Sequence, residues 1–203
     1  MPAKPLAEEP AAALVGRLIG WLMVVPGAIA LIAAVTLMIE KVRLLEDPTR
    51  VPSCTIDAVL ACGAVMNSNQ AEAFGFPNPL LGVAGFAALV ALGTTVLGGA
   101  ELPRWLWRTI QAGVTFAAIF VHWLIFQSIY RIESLCPYCM VVWVMTIVAF
   151  LYVTIHNTSN GALPSTRIGV LAVRYHGVIL TTWLAVLTLL VGEAFWDHWR
   201  SKL

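Results

Sequence analysis

The run LIGWLMVVPGAIALIAAVTLMI, residues Leu18 to Ile39, holds 22 residues and no charge. About 20 consecutive apolar residues cross the hydrocarbon core of a bilayer as a helix. The stretch therefore reads as a membrane span, interrupted only by Pro26. It is longer than the apolar region of a secretory signal, about 7–15 residues, and no clean small-x-small cleavage site follows it. It is read as a retained first span. Ahead of it, residues 1–13 are rich in Pro, Ala and Glu and are expected to form a disordered tail.

Four more apolar blocks follow: Leu80–Leu97, Thr109–Tyr130, Cys139–Ile155 and His176–Phe195. The whole chain is 60% hydrophobic and 11% charged, against about 25% charged in soluble domains. Residues 14–203 thus read as one membrane domain embedded in lipid. Backbone groups in lipid must be satisfied within their own segment, so each block should be a helix. The alternation expected of a membrane barrel is absent. The fold class is an all-α integral membrane protein with five transmembrane helices. The net charge of +1 and the lack of a basic face give no support for nucleic-acid binding.

The connections are unequal. Gly98–Arg108 and the seven residues Arg131–Pro137 are tight, and His156–Tyr175 is intermediate. The long connection, 40–79, holds two of the four cysteines, and long ordered loops tend to be functional. With a cytoplasmic N-terminus, the two short inner loops hold Arg104, Arg108, Arg167 and Arg174, whereas the short outer loop holds only Arg131. Basic residues favour the inner side, so the N-terminus is placed inside and the 40–79 loop outside.

The cysteines share one face whatever the orientation, because two crossings separate loop 40–79 from loop 131–137. Cys136-Pro137-Tyr138-Cys139 opens the fourth span. Proline suits a first helical position, which makes Cys136 the cap and puts Cys139 on the same face, close enough for a disulfide. C-x-x-C pairs at helix starts have lowered thiol pKa values and act as nucleophiles. The other pair, Cys54 and Cys62, is followed by Gly63. A structural disulfide for this pair, or half of a zinc site for the C-x-x-C, are the plain alternatives. Two pairs on one face favour a dithiol relay, and disulfides persist where the surroundings oxidise, which again puts this face outside.

Other polar residues carry weaker signals. His122 lies within the third span on a stripe with Gln111, Thr115 and Ala118. Intramembrane ionisable residues are candidates for function, while an interhelical hydrogen bond is the ordinary reading. Gln127 and Tyr130 lie nearer the C-x-x-C level and could line a headgroup pocket or pack in the core. Most tryptophans mark span ends, as an aromatic belt does. Asn157-Thr158-Ser159 matches a glycosylation acceptor but falls on the inner side.

With Cys54, Cys62, Ser68, the Phe76-Pro77-Asn78-Pro79-Leu80-Leu81-Gly82 stretch and Cys136-Pro137-Tyr138-Cys139 in this order, the sequence resembles bacterial homologues of the vitamin K epoxide reductase (VKOR) family over roughly Trp21 to Tyr152. The resemblance implies a four-helix bundle around a quinone pocket, capped by the outer loop 40–79, with the fifth helix additional. It implies a quinone-dependent disulfide oxidoreductase that supports disulfide bond formation in exported proteins. Cys54 would exchange with a thioredoxin-like partner, Cys62 would attack Cys136, and Cys139 would lie beside the quinone (menaquinone or ubiquinone). Ser68 and Asn78 match family positions near the cap and pocket, with Asn78 expected to hydrogen-bond a quinone carbonyl. Where the mammalian enzyme has a tyrosine four residues after its last motif cysteine, Trp143 stands here. That departure bears on epoxide reduction and inhibitor sensitivity, not on disulfide exchange. A fused thioredoxin domain is not expected, so the partner would be a separate DsbA-like protein at the outer face of a bacterial cytoplasmic (inner) membrane. The reading from another class is a metal-binding or transport protein with a four-thiolate site, which needs all four thiols convergent and reduced.

Overall fold

A computed structural model describes residues 8–164 and 167–200. Its elements are α1 (Glu8–Glu46), α2 (Cys62–Met66), a 3-10 turn (Asn69–Glu72), α3 (Pro79–Leu97), α4 (Arg104–Gln127), a π turn (Ser128–Ile132), α5 (Pro137–Ser159), α6 (Arg167–Ala194) and α7 (Trp196–Arg200). Among the described residues, five helices are long and apolar enough to cross a membrane: Gly16–Glu46, Pro79–Leu97, Arg104–Ile132, Pro137–Ser159 and Leu171–Ala194. The protein is an all-α membrane protein, as the apolar blocks implied. Residues 1–7 of the expected tail lie outside the described residues, and α1 starts at Glu8.

The helices outrun the charge-free blocks, and the reason is local pairing. α1 continues through Glu40 and Lys41, both buried. Lys41 Nζ donates to the Met66 carbonyl at 2.8 Å and meets Glu72 at 3.0 Å, while Glu40 accepts from the Ser53 hydroxyl at 3.0 Å. At the start of α4, Arg108 Nε donates to the Ala162 carbonyl at 3.0 Å. Charges so partnered, or reaching out to the headgroups, do not end a membrane helix.

α1 packs against α3 and α5, and α4 packs against α5. Without a hydrophobic drive between helices in lipid, small residues that let backbones approach set such seams. Gly20 faces Gly93 and Leu97, Gly27 faces Leu89 and Val90, and Gly82 faces Ala34. A Cβ on Gly93 would lie 2.8 Å from Val24 Cγ2 and 2.9 Å from Met23 Cβ. α4 and α5 are joined by hydrogen bonds near the ends that lie away from the cysteines. The Asn157 amide donates to the Trp107 carbonyl (3.1 Å) and to Gln111 Oε1 (3.0 Å), and Gln111 Nε2 donates to Thr154 Oγ1 at 2.9 Å. Asn157 is fully buried there, which sets aside the glycosylation match.

α3 and α4, although consecutive, leave a slot between them. Its walls carry Ala84, Gly85 and Ala88 on one side and Gly113, Phe116 and Ala117 on the other. A Cβ on Gly85 or Gly113 would meet nothing within 4 Å. α6 lies on the outside of the bundle, with none of its span buried. It is held by the Trp183 indole, which donates to His122 at 3.0 Å and meets Phe150 edge-on.

Overpacking a tight seam costs about 1–3 kcal/mol. Gly93→Val is therefore expected to lower the unfolding temperature of the purified protein by several degrees. Gly85→Ala, on the open slot, should leave it unchanged. Thermal unfolding in detergent micelles separates the two.

Candidate thiol relay and the cavity behind it

The loop between α1 and α3 is held down at three points. The first is the Lys41–Glu72 and Lys41–Met66 pair of contacts described above. The second is Asn78, whose amide donates to the Gln70 carbonyl at 2.7 Å and whose Oδ1 accepts from the Ala73 N–H at 3.1 Å. The third is a parallel bridge between Leu60 and Leu135, in which the Leu135 N–H donates to the Val59 carbonyl at 2.8 Å. Asp57 prepares the bridge by accepting from the N–H groups of Val59 (2.9 Å) and Leu60 (2.8 Å), an Asx-type turn. On the other side, Glu133 adopts a left-handed conformation (φ 55°) after the π turn. That reversal swings Leu135 and Cys136 back toward the loop.

The bridge sets two cysteines side by side. Cys54 and Cys62 form a disulfide, with Cα atoms 5.7 Å apart. Cys62 Sγ lies 3.3 Å from Cys136 Sγ. Cys136 caps α5, and its sulfur accepts from the Cys139 N–H at 3.4 Å. The Cys139 thiol bonded to it, aided by the Cys139 and Tyr138 backbone N–H groups, holds Cys136 below the ordinary thiol range against the opposing effect of burial. Cys62 and Cys136 are fully buried, Cys54 is 6% exposed, and Cys139 is half-buried.

Cys54, Cys62 and Cys136 have their sulfurs within 4.8 Å of one another, a spacing that could suit a soft metal ion. Two of the three are joined in a disulfide, which leaves Cys136 as the one free thiol of the set. Cys139 is outside it.

Cys139 instead reaches the wall of a cavity of about 610 Å³ inside the bundle, within the range of small-molecule sites. The lining is almost wholly apolar. Polar groups gather at the end nearest the cysteines, with Lys41, Ser68, Asn78, Ser128 and Cys139 among them, and the α3–α4 slot flanks the cavity. Phe74 of the outer loop packs over Phe116 and Phe120 of α4, with centroids 6.2 and 5.3 Å apart.

Of the expected pocket residues, Ser68 and Asn78 line this cavity. His122 does not. It turns to α6, where one ring nitrogen meets the Ala118 carbonyl at 2.7 Å and the other accepts from Trp183, so the ordinary reading of that histidine holds. Gln127 and Tyr130 also lie off the lining, and Tyr130 is exposed and packs on Phe126. The cavity face of α4, continued by the π turn, runs through Val121, Leu124, Ser128 and Ile132 at ordinary helical spacing, which turns Gln127 and Tyr130 away from it. Missed from the sequence were Lys41, Ser128 and Thr146. Thr146 sits on the α5 face that also carries Cys139, Val142 and Trp143, a stripe of helical spacing that could have been read from Cys139.

Two thiol pairs in sulfur contact at one end of a helical membrane bundle define a membrane thiol–disulfide oxidoreductase. A family model described as the Vitamin K epoxide reductase family matches residues 21–154. The chain belongs to that family. α6 and α7 lie beyond the matched residues.

Because the Cys139 thiol is the first cause of the lowered Cys136 value, Cys139→Ala should move the thiolate titration of Cys136 to higher pH, read by ultraviolet thiolate absorbance with Cys54–Cys62 intact. The sign for stability follows. A depressed native value favours folding at pH above the unfolded thiol's value, and that contribution fades as pH falls through the native value. The variant should lose this pH-dependent increment, which denaturant unfolding across the alkaline range would register.

Proposed function

We propose that this protein is a quinone-linked thiol oxidase that keeps a separate DsbA-like partner oxidised, and so supports disulfide formation in exported proteins. The observation that carries the reading is the 3.3 Å separation of Cys62 and Cys136, with Cys139 one helical turn further on at the cavity wall. The arginines of the two inner turns support a cytoplasmic N-terminus and an outward-facing relay in a bacterial cytoplasmic membrane.

The steps balance as exchanges of sulfur bonds. A partner thiolate attacks Cys54, the more exposed sulfur of the loop disulfide, and Cys62 leaves as thiolate. Cys62 attacks Cys136 of an oxidised Cys136–Cys139 pair, and Cys139 leaves as thiolate. The partner's second thiolate then releases Cys54 and carries away a disulfide. Cys54 attacks Cys62, freeing Cys136 and restoring the loop disulfide. The short Cys62–Cys136 contact makes both central exchanges local. The net result leaves Cys136 and Cys139 reduced.

A bound quinone supplies an acceptor for two electrons and two protons, so that the dithiol closes to a disulfide and quinol departs. The apolar cavity and its size support such a headgroup. Ser68 and Asn78 would stand near it: the Asn78 amide uses one N–H on Gln70 and keeps a second. The slot between α3 and α4 offers a path for an isoprenoid tail into the bilayer. Trp143 on the same wall gives a bulky apolar surface without a hydroxyl.

Membranes bearing wild type should oxidise a DsbA-like dithiol protein in a quinone-dependent way. Each of Cys54→Ala, Cys62→Ala, Cys136→Ala and Cys139→Ala should retain below about 1% of that rate, since each exchange needs its sulfur. In Cys139→Ala the Cys136 thiolate can attack Cys62 of the loop disulfide with Cys54 leaving, and with no Cys139 to resolve it a Cys62–Cys136 disulfide should accumulate, seen by non-reducing electrophoresis after cleavage between the loops. Full-rate oxidation by Cys139→Ala would sink the proposal. Stoichiometric metal bound by reduced protein without oxidase activity would favour the thiolate-site reading.

A further inference from the structure

Among the described residues lining the cavity, Lys41 alone carries a charge. Its side chain is 8% exposed, near the outer end of α1 and one turn past Leu37, which packs with Cys54, Cys62 and Cys136. A buried ammonium is costly unless partnered. An ammonium has three N–H donors. One goes to the Met66 carbonyl at 2.8 Å and another to Glu72 at 3.0 Å. A third remains on a side chain that faces an apolar cavity shared with Cys139.

From this placement we infer that Lys41 is a catalytic residue for the quinone half of the reaction. Its free N–H donates to the quinone oxygen on which negative charge develops as the electron pair arrives from the Cys136–Cys139 dithiol. The dithiol loses two electrons and two protons, the quinone gains both, and Lys41 keeps its own proton, acting as a fixed donor. Such donors, aimed where charge develops in a dry site, are effective because they need no reorganisation. Glu72, whose side chain is 41% exposed, holds the ammonium in place from the water side. The inference rests on the quinone reading given above and adds to it a residue that the thiol chemistry does not use.

Lys41 also ties the outer loop to α1, so the test must separate a latch from a donor. Full-length wild type, Lys41→Met, Lys41→Arg and Glu72→Gln are reconstituted in lipid nanodiscs with a short-tailed ubiquinone or menaquinone, isotope-labelled at its carbonyl carbons. Infrared difference spectra report hydrogen bonding to each carbonyl of the bound quinone. Steady-state kinetics report quinone reduction, and trapping of Cys62–Cys136 in a Cys139→Ala background reports sulfur exchange. The expected result is one carbonyl band lowered in wild type, Lys41→Arg and Glu72→Gln but not in Lys41→Met. The kcat of Lys41→Met should fall about 100-fold, the effect of removing one such donor, with sulfur exchange unchanged. Glu72→Gln should stay within about tenfold of wild type on the same scale. An unshifted band pattern between wild type and Lys41→Met, or equal losses in Lys41→Met and Glu72→Gln, would overturn the assignment and leave Lys41 a latch. Failure of wild type itself to bind or reduce either quinone would overturn the quinone reading instead.

Discussion

One backbone hydrogen bond, from the Leu135 N–H to the Val59 carbonyl, joins segments that the chain keeps apart by two membrane crossings. The sulfur contact depends on it. Cys62 and Cys136 each follow closely on the bridged residues Leu60 and Leu135, so the register of the bridge decides whether their sulfurs meet. Everything around it serves that register. Asp57 shapes the loop strand, Glu133 turns the other strand back, and Phe195 at the end of α6 packs into the same apolar cluster as Val59 and Leu135. Outside a sheet, a single bridge of this kind is a weak element, and here it is kept by apolar side chains buried on both strands.

The membrane fold was legible in the sequence because lipid leaves the backbone few options. The apolar blocks located the helices, and topology alone put all four cysteines on one face. The C-x-x-C pattern with Pro137 correctly placed Cys136 as the cap of α5. The pocket was less legible, for a physical reason. A membrane helix is apolar on every side, so periodicity does not tell its lipid face from its cavity face. Gln127 and Tyr130 were placed by depth alone, while the face that meets the cavity runs through Val121, Leu124, Ser128 and Ile132 and turns both of them away. Lys41 was hidden in another way. In sequence it is an ordinary charge ending an apolar span, and only its pairing with Glu72 across the loop makes it an interior group.

His122 illustrates how a polar group inside the membrane can be silent in chemistry and still matter to architecture. One ring nitrogen meets its own helix at the Ala118 carbonyl and the other meets the Trp183 indole of α6. That contact attaches α6, which buries none of its span in the bundle. α1, α3, α4 and α5 line the cavity, and α6 reaches the cysteine end of the bundle, where Phe195 joins the bridge cluster.

The open seam between α3 and α4 would set the units in which the protein meets the quinone proposed above. A quinone entering there would come from the bilayer rather than directly from water, so its occupancy would follow its concentration in the membrane. What counts is its mole fraction in the surrounding leaflet, where every lipid acyl chain that slips past Gly85 and Gly113 is a competitor. Saturation would then vary with the composition and thickness of the membrane, and a detergent micelle would change the apparent affinity by dilution in two dimensions, even if no atom of the site moved.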